Sequence, residues 1–258
     1  MAAKPLAGKT ILVTRPEGPA DALTAGLQAL GARVLRAAVI RTAPPAAYAR
    51  LDAALRRLGS YDAAVFASAR AVNSVFSRAG ALGLRLGPPP KVFAVGPATA
   101  LALRRRGWRA SVPKKHRSEE LAAALGRRIR GRKIFLPRAQ EGRAALPQAL
   151  RRQGARVDAV TAYRTLRDTR CAKLLRKAAA SGRIDAVAFT SGSTVRHLLE
   201  QLPAVLRRRL FQRAAAASIG PVTTAALRRR GLNASIEARQ ATAYSLCRAI
   251  ARHFQDSR

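Results

Sequence analysis

The segment Ala217–Asn233, ASIGPVTTAALRRRGLN, has a counterpart at Phe93–Arg109, FAVGPATALALRRRGWR. Both run a short apolar stretch into Gly-Pro, then a hydroxyl residue, a helix of small apolar residues, three arginines and a glycine. Gly96 matches Gly220, Pro97 matches Pro221, Thr99 matches Thr223 and Gly107 matches Gly231, each pair 124 residues apart. A fixed offset over many positions marks a repeated unit. It extends further at an offset of 123: Gly31-Ala-Arg-Val34 with Gly154-Ala-Arg-Val157, Arg41-Thr42 with Arg164-Thr165, and Tyr61–Ser68 with Ile184–Ser191. Lys9–Arg15 is echoed by Arg132–Arg138. The chain therefore reads as two similar halves, 8–130 and 131–258. A period this long means paired domains; solenoid repeats are ~20 to 50 residues.

Strand and helix signals alternate through both halves. The first half reads as strands 9–14, 33–41, 62–67, 91–95 and 108–112, with helices 19–30, 46–58, 68–79 and 99–106, and a further helix beginning at Ser118. The three prolines of 83–90 make that stretch a loop. The second half reads as strands near 133–137, 156–163, 184–189, 215–219 and 233–236. Its helices fall near 142–152, 168–180, 193–213 with a break at Pro203, 222–230 and 242–254. Short, continuously apolar strands alternating with helices call for parallel sheets covered on both faces. The fold class is α/β: two similar doubly wound parallel-sheet lobes produced by internal duplication.

With 48% hydrophobic residues in 258, each half can bury a core, and 5% aromatic content makes that core rich in Ala, Val and Leu. No stretch resembles a membrane span, and MAAKPLAGKT lacks the apolar region of a signal peptide, so a cytoplasmic protein is expected. Cys171 and Cys247 lie outside any CxxC pattern and read as packed thiols. His116, His197 and His253 show no metal spacing. The net charge of +36 attracts polyanions of any kind: nucleic acid, an anionic membrane surface or a small polycarboxylate. Several arginine runs, such as Arg104–Arg106 and Arg228–Arg230, sit in the last turn of a helix before glycine. Cations there complement the helix dipole, and glycine supplies the left-handed cap.

In doubly wound folds, ligands bind beyond the carboxyl ends of the strands. The residues standing there are Thr14 and Arg15, Ser68 and Ala69, Gly96 and Thr99, Arg138 and Arg143, Thr190, Ser191 and Gly192, and Gly220 and Thr223. Helix N-termini with hydroxyls suit anionic oxygens, and arginine adds bidentate carboxylate recognition. Taken singly, each hydroxyl reads as an ordinary N-cap before a ligand contact; it is their convergence that suggests a site. The motifs of α/β-hydrolases, P-loop NTPases and dinucleotide-binding enzymes are missing. Asp62 and Asp185, at equivalent strand starts, read as structural. Tyr163 breaks the copy symmetry, standing where the first half has Ile40. It is either a core ring with a wet hydroxyl or a proton donor.

These segments together resemble the uroporphyrinogen-III synthases over nearly the whole chain. They are Thr14-Arg15-Pro16, Val65–Val72, Ala94–Ala100, Leu136–Ala139, Ala162–Thr165, Phe189–Ser193 and Ile219–Thr223. The resemblance implies a cofactor-independent lyase that closes the linear tetrapyrrole hydroxymethylbilane with loss of water and inversion of the last ring, by way of a spirocyclic intermediate. It implies two lobes joined by a two-stranded linker: residues 1–37 with 167–258, and residues 42–162, with linkers 38–41 and 163–166. The substrate, bearing four acetates and four propionates, would lie between the lobes. Tyr163 matches the tyrosine that assists departure of the hydroxyl, and Thr223 the threonine of the second Gly-Pro turn. No cofactor, metal or specific nucleic acid is expected, and the chain reads as a monomer. The charge is far more basic than is usual in that family.

The reading from another class, a basic two-lobed module binding nucleic acid without chemistry, draws on charge alone and lacks interleaved aromatics. Salt separates the two. Binding to mixed-sequence DNA is expected to fall steeply and linearly with log[salt], whereas isomer-selective catalysis survives moderate salt. DNA affinity that persisted at high salt in a preparation without catalysis would reverse the assignment.

Overall fold

The computed structural model describes residues 4–15, 21–113 and 118–256. Its strands, in chain order, are β1 (Thr10–Val13), β2 (Arg33–Arg36), β3 (Ile40–Ala43), β4 (Ala63–Phe66), β5 (Lys91–Ala94), β6 (Lys133–Ala139), β7 (Arg156–Arg167), β8 (Ala186–Phe189), β9 (Ala215–Ser218) and β10 (Ile236–Glu237). The α-helices are α1 (Ala22–Ala29), α2 (Ala49–Arg56), α3 (Ala69–Ala81), α4 (Pro97–Arg104), α5 (Ser118–Leu125), α6 (Ala145–Arg152), α7 (Ala172–Ser181), α8 (Gly192–Gln201), α9 (Ala204–Phe211), α10 (Pro221–Arg228) and α11 (Ala243–Gln255). The chain divides into two compact units: Met1–Arg41 with Leu166–Arg258, hereafter unit 1, and Thr42–Thr165, unit 2.

Unit 1 holds a five-stranded sheet in the order β10-β9-β8-β1-β2, and unit 2 one in the order β3-β7-β6-β4-β5. In unit 1 the pairs β1–β2, β1–β8, β8–β9 and β9–β10 are parallel, as are β4–β5, β4–β6 and β6–β7 in unit 2. The register follows the sequence repeat. Thr10 lies opposite Arg33 as Lys133 lies opposite Arg156, and Leu12 opposite Val187 as Phe135 opposite Ala64. Asp185 and Asp62 do the same task at both central pairings. The Asp185 carboxylate accepts from the N–H of Thr10 at 2.8 Å, and that of Asp62 from the N–H of Lys133 at 2.7 Å.

Side-chain alternation explains why the strands are apolar without a break. In unit 1, Leu12, Val187 and Phe189 face α7–α10 through Leu175, Leu198, Leu210 and Leu227. Their neighbours Ile11, Val13, Ala186 and Ala188 face α1 and α11 through Leu23, Leu27, Leu246 and Ile250. In unit 2, Ala64, Phe66 and Phe135 pack with α2–α4, while Val65, Ile134 and Leu136 pack with α5 and α6. Both strand faces are buried, as a doubly wound sheet requires.

The glycine stops after the arginine runs close both helices in one way. Gly107 and Gly231 have φ of 79° and 73°, the left-handed conformation that glycine adopts without a Cβ penalty. Behind them the N–H of Trp108 donates to Leu103 O (3.0 Å), and that of Leu232 to Leu227 O (3.1 Å).

Three readings of the sequence differ from the structure. The single strand 33–41 is two, β2 and β3, because the chain leaves the sheet of unit 1 after Arg36 and enters that of unit 2; a continuous apolar run carries no sign of that transfer. The strand at 108–112 reduces to an isolated bridge between Phe93 and Ser111. Trp108 is buried, not to extend a ladder but to pack on Phe66 and Phe76, with ring centroids 6.1 and 5.0 Å away. β7 continues to Arg167, beyond the expected end near 163. Pro16, Glu17, the start of the helix expected at 19 and His116 lie outside the described residues, as do the side chains that would cap α5 at Ser118.

Asp185→Ala removes the acceptor for Thr10 N–H while leaving every core side chain in place. It is expected to lower stability by about 1 kcal/mol, measured by urea denaturation. A midpoint equal to that of the unsubstituted protein would show that the β1–β8 register does not depend on the carboxylate.

Candidate active site

In unit 2 the candidate residues are assembled by an irregularity between two adjacent strands. Along β6 and β7 the partners advance in step up to Arg138 opposite Thr161, then shift so that Ala139 faces Tyr163. Such a bulge inserts one residue, here Ala162, and re-aims the side chains beyond it. The Tyr163 hydroxyl comes to rest 3.2 Å from Ser68 Oγ, with 7% of the residue exposed. Ser68 is the N-cap of α3 and accepts from the N–H of Ala71 at 3.2 Å. One residue thus serves both readings of a strand-end hydroxyl: it caps the helix and meets Tyr163.

These two side chains open onto a pocket of about 190 Å³ whose other walls include Arg138, Ala139, Gly142 and Arg143. Arg138 is half-buried, and burial, followed by the nearby Arg151 guanidinium, lowers its affinity for a proton below that of a free arginine. Among the described residues no carboxylate pairs with Arg138 or Arg143. The pocket therefore presents a phenol and a hydroxyl at one side and guanidinium charge without an internal counter-ion at the other. Ala69 opens α3 beside Ser68. Gly96 is the N-cap of α4, and the buried Thr99 donates its N–H to Gly96 O at 3.1 Å; these three stand at strand ends but outside the pocket walls. A larger depression of about 370 Å³ on unit 1, between Arg207, Arg208, Phe211 and Arg230, contains none of the candidate residues. It lies where α9 leads into the start of β9, away from the strand ends where chemistry is expected.

In unit 1 the candidates line the ends of β1, β8 and β9. Thr14 is fully buried and donates its hydroxyl to Ala188 O at 3.0 Å, so its polar atom ties β1 to β8. Arg15 is half-buried, with Nε buried and without a partner among the described residues. Thr190 leads into Ser191, which caps α8 by accepting from Thr194 N–H at 3.3 Å. Gly192 admits α10: a Cβ there would stand 3.2 Å from that of Ala226. Gly220 precedes α10, and Thr223, 97% buried, donates its N–H to Gly220 O at 2.9 Å.

The sequence reading passed over the groups that hold this second turn. Ser218 Oγ donates to Gly220 O at 2.8 Å and accepts from Gly220 N at 3.1 Å. The Thr224 hydroxyl lies 2.9 Å from Ser218 Oγ and bonds the Glu237 carboxylate. The corresponding positions in the first half are Ala94, Ala100 and Pro113, so polar residues replacing apolar ones between the copies were the available signal. Among the described residues no three His, Cys, Asp or Glu side chains come together as a metal site. Both thiols are free, and burial pushes that of Cys247 up to about 11.

Fold and strand-end residues define a two-unit α/β protein with hydroxyl residues and helix N-termini beyond its parallel strands. The sequence profile described as uroporphyrinogen-III synthase HemD matches residues 21–248, and the chain belongs to that family. It is 32% identical to the uroporphyrinogen-III synthase of Synechococcus elongatus over 97% of both chains. It is 34% identical to a putative uroporphyrinogen-III synthase of Methanothermobacter thermautotrophicus over 86% of this chain and 90% of that one. Among solved structures, a mutant uroporphyrinogen III synthase of Thermus thermophilus aligns with a TM-score of 0.69 at 26% identity, covering 96% of this chain and 99% of that one. The Helicobacter pylori enzyme shares the fold at a TM-score of 0.60 and 15% identity, covering 95% and 99%.

Ser68→Ala deletes the cap of α3 as well as the contact to Tyr163. A loss of about 1 kcal/mol in unfolding free energy is expected, measured by denaturant titration. Unchanged stability would mean that α3 does not rely on this cap.

Proposed function

We propose that this uroporphyrinogen-III synthase cyclises hydroxymethylbilane in the pocket of unit 2, with Tyr163 as the proton donor to the departing hydroxyl and Arg138 and Arg143 as carboxylate anchors. One observation carries the reading: a nearly buried phenol is held against Ser68 in a pocket whose guanidinium groups have no carboxylate partner among the described residues. A substrate with acetate and propionate arms supplies the missing negative charge, and arginine binds such groups through paired hydrogen bonds.

The step balances within substrate and side chain. The C–O bond of the hydroxymethyl group breaks as Tyr163 gives its proton to the leaving oxygen, releasing water and an azafulvene-type cation. The substituted α-carbon of the last ring attacks this cation, forming the spirocyclic intermediate. The bond from that carbon to its original bridging methylene then breaks to give a second azafulvene-type cation, which closes on the free α-carbon of the now inverted ring, and the proton lost there restores the phenol. Because the cation is resonance-stabilised, the acid lowers the barrier without carrying all of it. A positioned acid contributes typically ~10²- to 10⁴-fold. In unit 1, Arg15 is proposed as a further substrate contact for its guanidinium, whose Nε has no partner among the described residues, and Thr14 only as the residue that places Arg15 at the end of β1, its hydroxyl being used on Ala188 O. Thr190, Ser191, Gly192, Gly220 and Thr223 are proposed as further substrate contacts on the ground that helix starts favour anionic oxygens. In unit 2, Ala69, Gly96 and Thr99 are proposed likewise. A monomeric cytoplasmic enzyme belongs to the same proposal. Among the described residues no helix is long and apolar enough to cross a membrane.

Two measurements on one preparation test this. The unsubstituted protein, given freshly generated hydroxymethylbilane, is expected to yield the type III isomer, whereas uncatalysed closure gives type I. Tyr163→Phe is expected to fold normally and turn over roughly 10- to 100-fold more slowly, or about 1.4 to 2.7 kcal/mol of barrier. Thr223→Ala is expected to lose only severalfold, since neighbouring amides still face the anion. If Tyr163→Phe instead lost about 1 kcal/mol of stability with undiminished turnover, Tyr163 would be a core ring and not the acid.

A further inference from the structure

Arg138, at the end of β6, and Arg143, in the turn from β6 to α6, line the pocket, and two other residues of that turn, Glu141 and Gly142, fix its shape. Glu141 is exposed, yet its carboxylate is tied down: Oε2 accepts the backbone N–H of Thr165 at 2.9 Å. Beside that bond the N–H of Gln140 donates to the carbonyl of Tyr163 itself at 2.9 Å. The turn is thus fastened to β7 at Tyr163 and again two residues further on, immediately after the bulge that pairs Ala139 with Tyr163.

Gly142 sets the other side. Its N–H donates to Ala139 O at 3.0 Å, folding the turn back over the strand end. A Cβ at this position would stand 2.9 Å from Ala139 O and 3.0 Å from both Nε and Nη2 of Arg138. The guanidinium lies directly under the glycine. The φ of Gly142 is not positive, so the site needs glycine for space and not for backbone conformation. Any side chain there must push aside either the backbone oxygen or the guanidinium, and the guanidinium is the softer of the two.

We infer that Glu141 and Gly142 are positioning residues: the Glu141 carboxylate staples the turn to β7, and the bare Cα of Gly142 leaves the room in which Arg138 lies beside Tyr163. The inference rests on the pocket being where substrate carboxylate and proton donor meet. Arg138 holds a substrate carboxylate whose charge does not change as the C–O bond breaks, so it binds equally in ground and transition states. Its displacement therefore raises KM and leaves kcat nearly unchanged.

The experiment measures kcat, KM and melting temperature for G142A, E141A, E141Q, R138A and the double variant R138A/G142A, with hydroxymethylbilane as substrate. R138A is expected to raise KM roughly 10- to 100-fold, the span of a lost charged hydrogen bond. G142A is expected to raise it roughly tenfold with kcat within about twofold. E141A should move KM in the same direction by about threefold or more, and E141Q, whose amide oxygen still accepts the Thr165 N–H, should recover KM relative to E141A. In the R138A background G142A should add nothing, because its effect passes through the guanidinium. A KM increase from G142A that persisted in full without Arg138, or an E141A variant with unaltered KM, would overturn the positioning role while leaving the pocket intact. R138A with unaltered KM would overturn the pocket itself and this inference with it. If G142A failed to fold, the E141A and E141Q pair alone would decide.

Discussion

The pairing of β1 with β8, and of β6 with β4, holds both sheets together, because each joins strands that no local connection could bring side by side. Parallel strands need a crossover connection, and here it is long: from β1 to β8 the chain passes through the whole of unit 2, and from β4 to β6 through α3, β5, α4 and α5. Once Leu12 is opposite Val187 and Phe135 opposite Ala64, alternate residues of the central strands are committed to opposite faces. The helices then have only one arrangement in which each apolar stripe finds a partner. Slipping either register by one residue would turn each face inside out. Asp185 and Asp62 guard against that slip by accepting the first N–H of the neighbouring strand.

The site inherits its geometry from the sheet but needs one departure from it. While β6 and β7 stay in step, their side chains alternate strictly above and below. The shift after Arg138 breaks that alternation where the Tyr163 phenol and the Arg138 guanidinium line one pocket. A bulge is stable only if the freed polar groups find other partners. The turn after β6 supplies them, through Gln140 to the Tyr163 carbonyl and Glu141 to the Thr165 amide.

Carboxylates in this chain are few, 13 against 49 basic residues, and most of those described are committed to structure. Asp52 forms a two-pronged pair with Arg78, whose hydrogen bonds hold its carboxyl below the usual range. Asp158 takes the Tyr61 hydroxyl and the Arg57 guanidinium. Asp168, buried at the end of β7, is held ionised by Arg170. With most of its described acids committed to capping and stapling, no carboxylate among the described residues pairs with Arg138 or Arg143. The excess charge by itself does not choose an anion for them.

The sequence by itself determined the two-fold repetition of its segments, the alternation of strand and helix, and the parallel sheets with both faces covered. Those features arise from local periodicity and from offsets that survive as pairing registers. It also marked Tyr163, because one polar ring replaced an isoleucine between otherwise matching segments. Only the tertiary structure decided that residues 33–41 serve two different sheets, that Trp108 fills a core instead of extending a strand, and that the Thr14 hydroxyl is used up on Ala188. The same holds for the β6–β7 bulge, the room above Arg138 at Gly142 and the Ser218–Thr224–Glu237 brace. Each of these is a relation between residues remote in sequence or between a backbone atom and a side chain. Hydrophobic pattern encodes which face is buried; it does not encode which partner stands across the gap.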